Sequence, residues 1–143
     1  MSNTKPCIFC DIVAGKSPDT VIEFSNEHII IFNDIRPASD YHYLAVPKNH
    51  MQNVRECTLD DKDLIIEMQN ELRNLLSVKN VNLDDVSYGF HWPPFTSIDH
   101  LHMHAIAPVS KMGFVQRLVF KPINMWYCTP EYVLSKLKPA THT

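Results

Sequence analysis

The sequence predicts an α+β fold in which an antiparallel β-meander sheet packs against one long helix and short terminal helices. Three observations lead to this prediction: short apolar segments closed by proline or turn residues, one long amphipathic segment, and apolar segments again after it. Strands, a helix and more strands in this order are typical of helices packed on one face of an antiparallel sheet. No internal repeat or linker divides the 143 residues, so we expect a single domain.

The first elements are short. Residues Asp11–Ala14 precede Gly15, which suits the position after a helix end, and they predict one helical turn. Val21–Phe24 and His28–Phe32 are rich in apolar and β-branched residues and predict a hairpin. Tyr41–Pro47 predicts a third strand, which ends at proline because proline has no N–H to donate to a neighbouring strand.

The long helix is predicted to begin after Thr58, a suitable N-cap residue. Aspartates at 60, 61 and 63 fall in its first turn, where the helix dipole favours negative charge. Apolar residues then recur at three- and four-residue spacing: Leu64, Met68, Leu72, Leu75 and Leu76. This pattern predicts a helix of about five turns that faces the core.

The second half of the chain returns to strands. Val86–His91 and Asp99–Ala107 predict a fourth and a fifth strand, and Phe114–Phe120 predicts another strand or an extended arm. Thr129 followed by Pro130 predicts the start of a last helix, because threonine caps well and proline is favoured at the first helical position.

Composition limits the classes of function. The chain has 45% hydrophobic residues and a formal net charge of -3, which gives no basic footprint for a nucleic-acid backbone. Residues 1–6 are polar and do not resemble a signal peptide, and no stretch approaches the roughly 20 apolar residues of a membrane helix. We therefore expect a soluble intracellular protein without a membrane partner.

Three histidines alternate along the predicted fifth strand. Because neighbouring side chains of a strand point to opposite faces, His100, His102 and His104 are expected to share one face. The residues between and after them are apolar, so this polar row lies on an otherwise buried element. Imidazoles buried without partners would each lose roughly 1–3 kcal/mol of hydrogen bonding, so something polar must face them.

Three explanations of this row compete. The histidines could lie on a solvated sheet face, or they could bind a metal ion, although three imidazoles on one straight strand converge poorly. The third explanation is nucleophilic catalysis on phosphorus, in which one imidazole attacks and a neighbour holds phosphoryl oxygens or protonates the leaving group. The hydroxyl of Ser97, three residues before His100, favours this third explanation.

The run His100-Leu101-His102-Met103-His104-Ala105-Ile106, with Cys7–Ile12, Phe32–Pro37 and Tyr43–His50 upstream, resembles the histidine triad family. The match covers roughly residues 5 to 109 and is closest to the Hint branch, an α+β meander. We accordingly expect one histidine triad domain over residues 1–143, with 110–143 as a C-terminal extension.

The resemblance implies a role for each matching residue. His102 corresponds to the histidine that becomes transiently adenylated, and His104 to the one that contacts the α-phosphate and the leaving group. His100 corresponds to a histidine behind these two, Ser97 to a serine near the scissile bond, and Asp34 to the carboxylate that holds the ribose hydroxyls. Five residues correspond to the apolar wall against the base: Ile8, Phe9, Ile12, Phe32 and Ile35.

The function implied by the resemblance is hydrolysis of adenosine 5'-phosphoramidates to AMP and an amine, with no cofactor needed for catalysis. The substrate would be a purine nucleotide, the chain would form a homodimer or a larger homo-oligomer, and its location would be cytoplasmic and also nuclear. Two alternatives stay open. The loop after Gly89-Phe90-His91 and the tail with Trp126-Tyr127 resemble aprataxin, which removes AMP from DNA ends, and a nucleotide-binding adaptor would not catalyse at all.

A second site is predicted at the start of the chain. Cys7 and Cys10, spaced as Cys-x-x-Cys, could form a structural zinc site with His50 and His100. The alternative is that both cysteines are core thiols and His50 is solvated. For His91, contact with the phosphate competes with a packing role, and His42 is given no function.

Overall fold

The structure is a computed structural model that describes residues 7–93, 98–123 and 126–140. Its centre is a six-stranded antiparallel sheet in the order β1-β2-β3-β5-β4-β6. The strands are β1 (Ile22–Ser25), β2 (Ile29–Asn33), β3 (Tyr41–Pro47), β4 (Ser87–His91), β5 (Met103–Ala107) and β6 (Tyr127–Cys128). The predicted α+β meander is confirmed.

In the described part of the chain, four α-helices accompany the sheet: α1 (Ile8–Val13), α2 (Lys62–Val78), α3 (Phe114–Val119) and α4 (Pro130–Lys136). Short 3-10 turns lie at Val54–Glu56, Leu59–Asp61, Leu83–Asp85 and Val109–Lys111. Thr58 forms a capping box with Asp61 ahead of α2, and the Thr129 side chain caps α4, as the sequence predicts. Within the described ranges, no helix is long and apolar enough to cross a membrane.

The two faces of the sheet carry different layers. The helix α2 buries Ile65, Met68, Leu72 and Leu76 against one face. On the opposite face, α1 packs Phe9 and Ile12 against Phe32, Leu44 and Val46. Because side chains alternate along a strand, His42 on β3 shares this second face with Leu44 and Val46.

Strand register brings the polar positions together. Leu44 of β3 and Gly89 of β4 lie opposite His104 of β5, while His42 lies opposite Ile106. His42 is therefore a diagonal neighbour of His104 on the same face, which is within reach of two imidazole rings.

Three predicted elements need correction. The helix α1 begins at Ile8 rather than Asp11, because the Cys7 thiol caps it by accepting from the Cys10 N–H at 3.3 Å. The fifth strand begins at Met103 rather than Asp99, since the Leu101 N–H donates to the Met51 carbonyl instead of to a strand.

The segment Phe114–Val119 is a helix and not the predicted strand or extended arm. Its β-branched and aromatic residues favour a strand locally, but the Arg117 side chain fixes the turn by donating to the Met112 and Ser110 carbonyls at 2.9 and 3.0 Å. Such side-chain contacts outweigh intrinsic propensity in short elements.

Candidate active site

The three alternating histidines are buried on the face that α1 covers. His100 and His102 lie just before β5, and His104 lies within that strand. Their exposed fractions are 0%, 7% and 5%. Of the three explanations, the solvated sheet face is therefore excluded, and each ring has a polar partner.

His102 presents one nitrogen for chemistry. Its Nδ1 atom lies 2.7 Å from the His100 carbonyl oxygen, which can only accept, so Nδ1 carries the proton. The lone pair is then on Nε2. Burial lowers the pKa of His102 to about 4, which keeps the ring neutral and nucleophilic at neutral pH.

His104 belongs to a hydrogen-bonded relay that includes a residue without a predicted function. The Ala38 N–H donates to Nδ1 of His42 at 2.9 Å, which places the His42 proton on Nε2. That Nε2–H donates to Nδ1 of His104 at 2.8 Å. His104 must then carry its own proton on Nε2, a buried atom with no hydrogen-bond partner in the described part of the chain.

An unpartnered buried donor is costly and needs an explanation. The Nε2–H of His104 lies on the same face as the Nε2 lone pair of His102, with ring centroids 5.1 Å apart. Burial lowers the pKa of His104 well below its ordinary value, so the ring donates as a neutral imidazole. Together, the two rings offer a nucleophile and a hydrogen-bond donor to one phosphoryl group.

Asp34 follows β2 and lies beside this relay. Its Oδ2 atom is 3.4 Å from Nε2 of His42, and its Oδ1 accepts from the Arg36 N–H at 2.8 Å. Each carboxylate oxygen has a further lone pair, so Asp34 can still accept from two ribose hydroxyls. A cation at Asp34, His42 and His104, which lie close enough for one, is disfavoured because the His42 Nε2 bears a proton.

The predicted apolar wall divides into buried and exposed residues. Phe9, Ile12 and Phe32 are buried, and the Phe9 ring packs edge-on against His102 at 5.0 Å. Ile8 and Ile35 are exposed at 53% and 86%. A flat base placed over these two side chains would cover apolar surface that is otherwise in water.

The four residues of the predicted zinc site come together. Sγ of Cys10 lies 3.2 Å from Nδ1 of His50 and 3.5 Å from Nδ1 of His100. Sγ of Cys7 lies 3.4 Å from the same His100 atom, and the two Nδ1 atoms are 3.1 Å apart. All four candidate ligand atoms lie within 4.8 Å of one another.

The Nε2 atom of His91 has a protein partner in place of the predicted phosphate. That atom donates to the Val119 carbonyl at 2.9 Å, and the ring packs against His104, Phe120, Trp126 and Tyr127. The packing role is therefore the one observed, with Trp126 rather than Trp92 as the indole neighbour. Ser97, the predicted serine near the scissile bond, lies outside the described residues.

Comparison with known proteins agrees with this geometry. The family model described as "Scavenger mRNA decapping enzyme C-term binding" matches residues 6–119. Adenosine 5'-monophosphoramidase HINT3 of Mus musculus is 40% identical over 92% of this chain and 81% of its own length. The chain belongs to the histidine triad family. The resemblance inferred from the sequence is thus confirmed.

A plant member of the histidine triad family is also similar. The bifunctional adenosine 5'-phosphosulfate phosphorylase/adenylylsulfatase HINT4 of Arabidopsis thaliana is 37% identical over 93% of this chain and 92% of its own length. Among solved structures, a histidine triad protein from Clostridium difficile superposes with a TM-score of 0.67 at 22% identity, covering 73% of this chain and 92% of that one. This structural likeness shows a common fold.

Proposed function

We propose that the chain hydrolyses adenosine 5'-phosphoramidates to AMP and an amine through an adenylated His102. One observation carries the proposal: the Nε2 lone pair of His102 lies next to the buried, unpartnered Nε2–H of His104. Similar proteins from Mus musculus, Xenopus tropicalis and Danio rerio are named adenosine 5'-monophosphoramidases, at 38–40% identity. Histidine supplies both the nucleophile and the donor, so the proposed reaction needs no cofactor.

Substrate binding is divided between two regions. Asp34 accepts from the ribose hydroxyls, and the exposed Ile8 and Ile35 side chains cover the purine base. The α-phosphate then lies over His102 and His104, toward β5. These contacts position the phosphorus for attack and leave the fourth substituent of the phosphorus, the amine, pointing away from the nucleoside.

The chemistry proceeds in two displacements. Nε2 of His102 attacks the α-phosphorus while the bridging nitrogen takes a proton from solvent, and the P–N bond breaks with its electron pair passing to that nitrogen, which departs as the neutral amine. The His100 carbonyl stabilises the positive charge on the adenylated ring through Nδ1–H, and the His104 Nε2–H bonds to a phosphoryl oxygen. Water then attacks the phosphorus and releases AMP, a proton and neutral His102.

The decisive experiment is mass spectrometry of rapidly quenched protein during turnover of AMP joined to a primary amine. We expect an adenylyl group on His102, and an H102A variant without adduct whose turnover is lower by about three decades or more. His28→Ala is the matched control, because His28 is an exposed histidine bonded to Glu67 and lies outside the site. Wild-type turnover by H102A would contradict the mechanism.

Competing substrates separate the alternatives in the same assay. A clear preference for 5'-adenylated DNA would support the aprataxin-like alternative, and AMP binding without any turnover would support an adaptor. Adenosine 5'-phosphosulfate is included because the similar plant protein is named for that substrate. Faster turnover of the sulfate compound than of the amine would reassign the leaving group while keeping His102 as nucleophile.

We also propose that Cys7, Cys10, His50 and His100 hold a structural zinc ion. The Nε2–H of His100 donates to the Pro47 carbonyl at 2.9 Å, so its Nδ1 offers a single lone pair. A thiol from each cysteine and the His50 ring all lie within 3.5 Å of that lone pair. One lone pair cannot accept three hydrogen bonds, whereas a shared cation satisfies all four groups.

The distances fit the proposed ion. A tetrahedral zinc site has edges of about 3.3 Å between two nitrogens and about 3.6 Å between nitrogen and sulfur, from its usual bond lengths. The observed separations of 3.1 Å and 3.2–3.5 Å are close to both edges. The ion would fix α1 to the sheet beside His102, with four protein ligands and no step of the reaction on the metal.

Homodimerisation and a cytoplasmic and nuclear location belong to the same proposal. Apolar side chains of α3 are left in water, with Phe114 exposed by 78% and Val115 by 63%. Neighbouring exposed apolar residues of this kind mark contact surfaces. Size-exclusion chromatography with light scattering tests the dimer: we expect twice the chain mass for the wild type and a shift toward monomer for F114K.

A further inference from the structure

The C-terminal segment that contains α3 and β6 is hydrogen-bonded to the sheet face that carries the histidines. The Val119 carbonyl accepts from Nε2 of His91 at 2.9 Å and from Nε1 of Trp126 at 2.8 Å. One donor comes from β4 and the other from the start of the β6 segment, so the end of α3 is fixed from two sides. These two hydrogen bonds to one carbonyl position the next residue, Phe120.

The Phe120 ring contacts the histidines of the relay. Its centroid lies 5.1 Å from that of His104 and 5.3 Å from that of His42, both in edge-on arrangements. It also packs against His91 at 5.1 Å and Tyr127 at 5.4 Å. Phe120 thus packs against His104, whose Nε2 is buried and has no hydrogen-bond partner among the described residues.

Tyr127 completes this wall because β4 leaves room for it. Gly89 lies directly opposite His104, and a Cβ atom at Gly89 would come within 2.6 Å of the Tyr127 ring. The ring occupies the volume that a side chain on β4 would fill, and it is 1% exposed. The wall of Phe120 and Tyr127 is therefore packed tightly against the sheet through the Tyr127 ring.

A large cavity shares this wall. Its volume is about 650 Å³, and Phe120 and Tyr127 belong to its lining together with Ser87, Met112, Phe114 and Leu118. Both rings also contact His104, at 5.1 and 6.1 Å. Phe120 and Tyr127 thus stand between the reacting centre and a space that is large enough for an aromatic group.

We infer that Phe120 is a specificity-determining residue that restricts the leaving group to small amines by separating His104 from the 650 Å³ cavity. This inference rests on the proposed phosphoramidase function. Asp34 follows β2, on one side of the histidines, so the substituent opposite the nucleoside extends toward β4 and β6. Phe120 is the side chain that a bulky amine would meet there.

The test compares two substrates that share AMP and differ in the amine: AMP linked to ammonia and AMP linked to tryptamine. In F120A, we expect kcat/KM for the tryptamine compound to rise about tenfold relative to that for the ammonia compound, within the range that a few methylene-sized contacts give. Most of the change should be in KM for tryptamine, because the new space binds the indole. F120L, which keeps more of the volume, should give an intermediate ratio.

Leu118→Ala is the matched control. Leu118 lines the same cavity from α3 and is 52% exposed, so its truncation changes the cavity while the ring at 120 remains. We expect its substrate ratio to stay within about twofold of wild type, because the contacts that discriminate are unchanged. AMP affinity and thermal unfolding of every variant confirm that the fold and the nucleoside contacts remain.

The outcomes distinguish this inference from the proposed function. A wild type that hydrolyses neither phosphoramidate overturns the proposed function and the inference with it. An active wild type whose substrate ratio is the same in F120A and F120L overturns the inference alone. If F120A does not fold, the F120L ratio decides, since loss of part of the ring volume must still shift the preference toward tryptamine.

Discussion

Nε2 of His42 lies 2.8 Å from Nδ1 of His104, and this hydrogen bond determines which nitrogen of His104 carries the proton. The direction of the bond follows from the Ala38 N–H, a backbone donor that occupies Nδ1 of His42. Without the Ala38 N–H bond, the His42–His104 hydrogen bond could reverse, and His104 would then present a lone pair to the phosphate instead of a donor. His42 is thus a positioning residue for His104.

The relay predicts different effects for two substitutions of His42. In H42Q the amide nitrogen takes the place of Nε2 and still donates to His104, whereas H42N retains only the acceptor for Ala38. We expect kcat of H42N to fall by about 10²-fold and that of H42Q by clearly less, since a correctly placed donor contributes about 10²–10⁴-fold. Steady-state kinetics with AMP affinity measured in parallel checks this. Equal losses in both variants would contradict the relay.

The free energy of unfolding should depend on pH through His42. Burial lowers the pKa of His42 to about 4, with the Asp34 carboxylate opposing and the rings of His102 and His91 adding to the shift. The unfolded chain has the ordinary pKa of about 6.5 and therefore binds more protons between pH 6.5 and 4. Stability is thus fully present above 6.5 and is lost as pH falls toward 4.

Urea unfolding at pH 7 and at pH 5 measures this loss. His42 alone accounts for up to about 3 kcal/mol over the whole window, at about 1.4 kcal/mol for each pKa unit. His104 shifts in the same direction, so the wild type should lose at least part of this amount by pH 5. The loss should be smaller in H42Q, which cannot titrate there; the same loss in H42Q would exclude His42 as its source.

The zinc proposal predicts both metal content and stability. Purified wild-type protein should retain one zinc per chain after dialysis, and C10S should retain none. Because a structural ion binds only the folded chain, its loss should lower Tm by about 5–10 °C, or about 2–3 kcal/mol for a chain of this size. Cys57→Ser is the control, because Cys57 is a buried thiol outside the cluster. Wild-type protein free of zinc would refute the site.

The sheet, the long helix and the shared face of the three histidines could be predicted from the sequence, because each follows from the spacing of neighbouring residues. His42 was missed because a single histidine on a strand carries no spacing signal. Its role depends on the register of β3 against β5, where Leu44 lies opposite His104. That register is set by packing across the sheet and cannot be seen in either strand by itself.

The error at α3 has the same origin. Phe114–Val119 contains residues that favour strands, and the helix is fixed by bonds from the Arg117 side chain to two carbonyls several residues away. Likewise, the sequence left His91 open between contact with the phosphate and packing, and the Val119 carbonyl takes its Nε2–H. In both cases a side-chain hydrogen bond to a backbone carbonyl of the C-terminal segment decides, and the periodicity of apolar residues does not show such a bond.

A substitution at Gly89 tests how tightly the wall of Phe120 and Tyr127 packs against β4. In G89A the new methyl group would lie 2.9 Å from the Cys128 carbonyl and closer still to the Tyr127 ring, so the ring must move. We expect a loss of about 1–3 kcal/mol in the free energy of unfolding, as for other overpacked sites. Tyr127→Leu removes the ring that obstructs the methyl group, and the double variant should therefore be more stable than the sum of the single effects predicts, by about 1 kcal/mol. Denaturant unfolding of all four proteins of the cycle measures this coupling, and additive effects would mean that the Tyr127 ring does not lie against Gly89.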